Sequence, residues 1–208
     1  MTKEMQKNKP KKKSSAHDRI LSKARTLFGK KGYQHTTLRA IAEACGCEPA
    51  NIYNFFSSKE NILFEILDQE MDGILADINK ITRDEKADPV DHLKAIFDSH
   101  GRVTLGKMRT SRTLFDSSLR SLSNKHQRII IEKRDEYDRI LRLVIQRGID
   151  SGVFDQTDVK MASFAIASII ARARVWYRPG GVKSVDEIIN TLFLFALKAL
   201  GYKGKFVI

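Results

Sequence analysis

Apolar residues recur along this chain at spacings of three and four, the signature of helices with one buried face, and rarely in the alternation of a strand. Between Ala16 and Lys31 the set Ile20, Leu21, Ala24, Leu27 and Phe28 falls on one side of a helix that Gly32 ends. Thr36 and Thr37 supply a start signal for a second helix. Leu38, Ile41, Ala42 and Cys45 follow at i, i+3, i+4 and i+7, and Gly46 stops it. Pro49 opens a third, very short helix in which Ile52 and Phe56 share a face. Ser57 and Glu60 stand at capping-box spacing before a long helix striped by Ile62, Leu63, Ile66, Leu67, Ile74, Leu75 and Ile78. Further helices are predicted near 89–106, 110–122, 124–151, 157–177 and 184–201. Asp158 or Thr157 caps the penultimate one, Pro179-Gly180-Gly181 ends it, and Ser184 with Glu187 forms a second capping box. The expected fold is all-α, with about nine helices.

The last two helices are apolar on more than one side, through Ala162, Phe164, Ala165, Ile166, Ile169 and Ile170 in one and Ile188, Ile189, Leu192, Phe193, Leu194, Phe195 and Leu197 in the other. A monomer's core uses one face, so the second calls for a partner. A homodimer that buries a four-helix bundle is the simplest solution, and a thick monomeric core is the alternative.

Charge sharpens the picture. The net charge is +12 over 208 residues, and residues 1–60 alone hold 13 Lys/Arg against 5 Asp/Glu, a net +8. A basic N-terminal third suits a polyanion. Residues 3–13, with six lysines, read as a disordered tail that could graze phosphates. Apolar residues at 42% suffice for a core, but no apolar run is long enough to span a membrane, and no secretion signal opens the chain. A cytoplasmic protein with no membrane partner is expected. The only cysteines, Cys45 and Cys47, are too close for a staple; zinc would need two further ligands, and none of the five histidines has ligand spacing with them. Cys45 reads as core and Cys47 as a turn residue, with no metal and no cofactor. Nothing resembles a phosphate loop, a nucleophile elbow or a metal triad, so an enzyme is not expected and no catalytic residue is assigned.

A helix ending in glycine, a tight turn and a short second helix make a helix-turn-helix unit, whose second helix must offer side chains to base edges or phosphates. In the short helix only Ile52 and the following Phe56 are claimed by the core, leaving Ala50, Asn51, Tyr53, Asn54 and in part Phe55 to face outward. Asn can pair with an adenine edge, Ala and aromatic rings can touch a thymine methyl, and Tyr can donate to phosphate. Lys59 is placed to meet the DNA backbone, and Thr37 can offer a hydroxyl and a helix N-terminus to a phosphate.

The run "ILSKARTLFGKKGYQHTTLRAIAEACGCEPANIYNFFSSKENIL" resembles the N-terminal DNA-binding domain of TetR-family transcriptional repressors, through Ala24, Phe28, Gly32-Tyr33, Thr36-Thr37, Ile41-Ala42, Ala44-Cys45-Gly46, Ile52-Tyr53, Phe56 and Ser58-Lys59-Glu60. The family often carries glycine where this chain has Ala50, and lysine, arginine or glutamine where it has Pro49, which shifts expected specificity onto Asn51 and Asn54. The resemblance implies phosphate-region contacts from Thr37 and Arg39, groove contacts from Ala50, Asn51, Tyr53 and Asn54, and a backbone contact from Lys59. It also implies three parts: a basic tail over 1–15, a three-helix helix-turn-helix domain over 16–60, and a helical ligand-binding and dimerisation domain over 61–208. The expected partner is a double-stranded operator, bound by a homodimer held through the two C-terminal helices.

Two arginine clusters suggest an effector. Arg172, Arg174 and Arg178 surround Trp176 and Tyr177, and Arg109, Arg112 and Arg120 sit with Leu114, Phe115 and Leu119. Arg172 and Trp176 are four apart and share a face, so a guanidinium beside an indole could hold phosphates and stack on adenine, or simply cap a dimer seam. The segment from Arg134 to Ile188 resembles repressors of fatty-acid and steroid-ring catabolism that respond to acyl-coenzyme A thioesters, through Arg134 and Tyr137, Gly148, Gly152 and Phe154, and the run from Arg172 to Gly181. In that subgroup the residues matching Arg172 and Trp176 are associated with ligand response. The ligand set expected here is Arg109, Arg112, Phe115, Arg172, Trp176, Tyr177 and Arg178 around an acyl-CoA. A drug-efflux repressor sensing lipophilic compounds, a CoA-ester enzyme and an effectorless architectural DNA binder are the rivals.

Overall fold

The computed structural model describes residues 16–82, 84, 87–106 and 119–204. Among them are eight α-helices: α1 Ala16–Lys31, α2 Leu38–Cys45, α3 Pro49–Tyr53, α4 Lys59–Ile81, α5 Pro89–Leu105, α6 Asn124–Asp150, α7 Val159–Trp176 and α8 Val185–Ala199, with a 3₁₀ turn at Leu119–Ser121 before α6. The helix expected near 110–122 falls mostly outside the described residues.

The caps explain the boundaries. Thr37, not Thr36, caps α2: its Oγ1 accepts from the Ala40 amide at 3.1 Å, and Gly46 closes the helix in the left-handed region at φ 64°. Thr36 is buried and donates to the Gly32 carbonyl at 2.8 Å. Asp158 caps α7, and the expected capping box at Ser184 and Glu187 opens α8. The box expected at Ser57 and Glu60 does not form. Ser58 takes the cap, accepting from the Asn61 amide at 3.1 Å, which puts Glu60 at the second helical position, out of register for the box.

The 23 residues of α4 span about 34 Å at the usual helical rise. All seven apolar residues expected on its stripe are buried. It packs on α1, α5 and α6, so a single unbroken rod runs from the three N-terminal helices into the larger bundle. Phe154 folds back over the end of α6, where its ring occupies the space a Cβ on Gly148 would need, and Gly152 makes the turn at φ 72°. Among the described residues no helix is long and apolar enough to cross a membrane.

Candidate DNA interface and effector cleft

Helix α3 is anchored from below and open above. Ile52 and Phe56 are buried in the core shared with α1, α2 and the start of α4. The opposite side presents Ala50, Asn51, Asn54 and Tyr53, the last 58% exposed, followed by Phe55. Pro49 occupies the first helical position, where its missing amide costs nothing. A helix of five residues holds little stability of its own, so this display depends on the two buried anchors. Arg39 is exposed and pairs with Glu43 at 3.4 Å across one turn, a weak solvated contact that a phosphate can replace.

Lys59, expected at the DNA backbone, also holds the turn before α2. Its Nζ donates to the Tyr33 and Thr36 carbonyls at 2.9 and 2.8 Å and lies over the Tyr33 ring, and partial burial lowers its pKa. Two of its three donors therefore fasten the α1–α2 turn under Thr37, which leaves one for a phosphate. Sequence reasoning passed over His17, which stacks on Phe56 and meets Glu65 at 3.1 Å, bracing α1 between α3 and α4.

A second contact region ties the bundle to this N-terminal unit. Glu60, at the head of α4, accepts from the Ser123 amide at 3.0 Å and from His126 Nδ1 at 2.7 Å. Phe64 stacks on the His126 ring, and Gln34 donates to Ser121 at 3.2 Å. Burial pushes the Glu60 carboxyl up, but the Ser123 amide and His126 outweigh it and hold its pKa below the ordinary value.

In the C-terminal bundle the expected arginine cluster divides. Arg172 and Trp176 are exposed on α7, continuing the outward stripe of Met161 and Phe164, and Arg178 is exposed beyond the helix. Arg174 turns the other way and pairs with Glu70 of α4 at 3.0 Å, both side chains buried. The signal was available: position 174 lies four residues after Ile170 and eight after Ile166, on the buried face. Beside this pair His100 and Tyr137 hydrogen-bond at 2.8 Å; burial and the Arg174 charge push the His100 pKa down to about 3, and burial raises that of Tyr137. Tyr177 is half-buried and lines a cleft of about 790 Å³ between the N-terminal unit and the bundle, with Leu21, Arg25 and Lys30 of α1, Leu105 of α5 and Pro179. Arg109, Arg112 and Phe115 lie outside the described residues. Cys45 is buried and Cys47 partly so, both free, and among the described residues no group of metal-binding side chains gathers.

Residues 20–66 match the bacterial regulatory proteins of the tetR family, and residues 86–200 match the tetracyclin repressor-like C-terminal domain. The chain is 28% identical over 196 residues to the HTH-type transcriptional repressor KstR2 of Rhodococcus jostii, covering 90% of this chain and 92% of that protein. It superposes with a TM-score of 0.78 on the TetR family transcriptional regulator PfmR from Thermus thermophilus, 30% identical over 90% of this chain and all of that one. AibR, solved with isovaleryl coenzyme A and operator DNA, shares the fold at a TM-score of 0.75 and 21% identity, over 87% of this chain and 97% of that one.

Proposed function

This chain belongs to the TetR family of transcriptional regulators, and within that family we propose a cytoplasmic repressor that binds a palindromic operator as a homodimer and is released by an acyl-CoA of lipid or steroid catabolism. The observation that carries the DNA reading is the open face of α3: Ala50, Asn51, Tyr53 and Asn54 face outward while Ile52 and Phe56 hold the helix in the core. Thr37, Arg39 and the remaining donor of Lys59 are assigned to the phosphates on either side of that groove. The working division is residues 16–60 for DNA and 61–208 for ligand and dimer, with residues 1–15 as a basic tail; α4 crosses the boundary unbroken and serves as the lever.

Dimerisation is assigned to α7 and α8. Met161 and Phe164 on the first and Phe195 on the second are large apolar side chains left exposed in the single chain. The relationship to KstR2 and the resemblance of residues 134–188 support a catabolic repressor. AibR illustrates that this fold can carry both a coenzyme A thioester and an operator. Arg172, Trp176, Tyr177 and Arg178, with Arg109, Arg112 and Phe115, are the residues assigned to the effector. The charged lining of the cleft, Arg25 and Lys30 against Asp18, favours an anionic ligand over the lipophilic cations of efflux regulators.

The test is operator binding by gel shift, with and without a panel of acyl-CoA thioesters. A sequence-specific complex is expected, weakened at least tenfold by one member of the panel. Attachment that is blind to sequence would sink the DNA reading, and no response to any thioester would sink the effector reading. Arg172→Ala is expected to keep the DNA complex and blunt the response; if it yields monomers instead, Arg172 belongs to the dimer seam.

A further inference from the structure

The turn that joins α2 to α3 carries both cysteines of the chain, Cys45 and Cys47, on either side of Gly46. The pair is too close to staple distant segments, but not too close to join to itself. Gly46 closes α2 at φ 64° and ψ 41°; its amide donates to the Glu43 carbonyl at 3.0 Å, and the Cys47 amide donates to the Ala42 carbonyl at 3.1 Å. In this paired pattern the residue after the left-handed glycine folds back on the last turn of its helix. Cys47 is thereby returned to the core that holds Cys45: Cys45 is 8% exposed, and Cys47 packs against the same cluster from a more open position. The Cys45 Sγ rests 4.0 Å from the Arg19 carbonyl, in the seam between α1 and α2. Burial raises the Cys45 pKa and the neighbouring Cys47 thiol adds to it, against the opposing charges of Arg19 and Lys23. Cys45 is the sheltered thiol of the pair, and Cys47 the one an oxidant reaches first.

We propose that Cys45 and Cys47 form an oxidation site: a hydroperoxide closes them into a disulfide, and closure loosens α2 and weakens operator binding. The consequence for DNA rests on the operator reading above; the site itself does not. The Cys47 thiolate attacks the peroxide, the O–O bond breaks, and the departing alkoxide or hydroxide takes up the proton that Cys47 gave up. Cys47 is left as a sulfenic acid. The Cys45 sulfur then attacks the sulfenic sulfur, the S–S bond forms, and the hydroxyl leaves with the Cys45 proton as water. Two thiols lose two electrons and one hydroperoxide gains them. The reach is adequate: a disulfide tolerates Cα atoms about 4.4–6.8 Å apart, and two residues span at most about 7 Å even in extended chain, which this turn is not. To meet Cys47, the Cys45 Sγ must leave the seam with α1. Helix α2 has eight residues and three buried side chains, Ile41, Ala42 and Cys45, so closure withdraws one of its three anchors just where the turn sets the direction of α3. A ring this small is strained, and strained disulfides are easily reduced again, which suits a reversible signal in a reducing compartment.

The full-length reduced protein is treated with a small excess of hydrogen peroxide. The peptide that contains residues 45–47 is then read by mass spectrometry, and affinity is measured by fluorescence anisotropy on the DNA fragment selected by gel shift. In the native protein this peptide should lose two hydrogens within a single chain, and operator affinity should fall about tenfold or more. Dithiothreitol should restore both, which oxidised methionine would not allow. Cys47→Ser, at the more open position, should bind DNA as the reduced native protein does and keep that affinity after peroxide. Cys45→Ala, which leaves a small apolar residue in the core, should hold Cys47 as a sulfenic acid that dimedone captures. If the peptide gains oxygen without losing two hydrogens, if the bond forms between two chains, or if Cys47→Ser loses affinity to peroxide as the native protein does, the inference is overturned. It is overturned too if the closed disulfide leaves operator affinity unchanged. If the reduced protein binds no fragment by sequence, the operator reading falls, and the loss of two hydrogens alone decides the oxidation site.

Discussion

At the scale of single residues, three positions make quantitative demands. Tyr53 and Asn54 have their side chains in solvent and no structural partner among the described hydrogen bonds, so truncating either removes little from the fold. A lost base-edge or phosphate contact is worth about 1–3 kcal/mol, so Tyr53→Ala and Asn54→Ala are expected to weaken operator binding by about tenfold or more, with the dimer intact by ultracentrifugation. His100 is the opposite case. It is buried, bonded to Tyr137, and held at a pKa of about 3 against an ordinary 6.5. Below the ordinary value the unfolded chain takes up a proton that the folded chain refuses, so stability falls as pH drops from 6.5 towards 3. One proton gives at most about 1.4 kcal/mol per pH unit. Between pH 6.5 and 4.5 the stabilisation from the Glu60 carboxylate is present throughout and is lost only at lower pH, so thermal melts in that window should show the His100 slope, flattened in His100→Gln.

Among the elements, the contact at the head of α4 is the informative one. Glu60 satisfies both the Ser123 amide and His126, so Glu60→Ala frees two donors at once. A loss of about 1–3 kcal/mol is expected, together with faster hydrogen exchange over residues 121–126 and no change at the far end of α4. Local signals predicted most helices well, because a glycine at φ 64° or an aspartate cap acts within one turn. The same reasoning misassigned Glu60 because its partners are more than sixty residues away, and nothing near Ser57 announces them. The carbonyls that Lys59 holds were not legible for a similar reason: they belong to the preceding turn, 23 and 26 residues back. The candidate DNA face was legible because it is what remains when the anchors Ile52 and Phe56 are subtracted from a five-residue helix. The interdomain cleft was not, since α1, α4, α5, the turn after α7 and the start of α8 contribute its walls from distant stretches of the chain.

For the molecule as a whole, the proposed operator reading depends on the spacing between two copies of α3, and so on what covers α7 and α8. Their inward faces are spent: Ile166 and Ile170 on one and Ile188, Ile189 and Phe193 on the other are buried within the chain. Met161 at 62% exposure and Phe195 at 60% are not, and isolated side chains of this size lose about 1.5–3 kcal/mol each when left in water instead of being buried. A second copy removes that cost twice, since a twofold seam repeats every contact. Introducing a charge on this surface therefore acts on both copies. Phe195→Glu combined with Phe164→Glu is expected to shift the protein to monomer in sedimentation velocity while α-helical content is retained. Operator affinity should then fall by orders of magnitude, because each half-site is held by one reading head without its twin. A double variant that still sediments as a dimer would move the seam to another face, and would also detach Arg172 and Trp176, which extend the same stripe, from it.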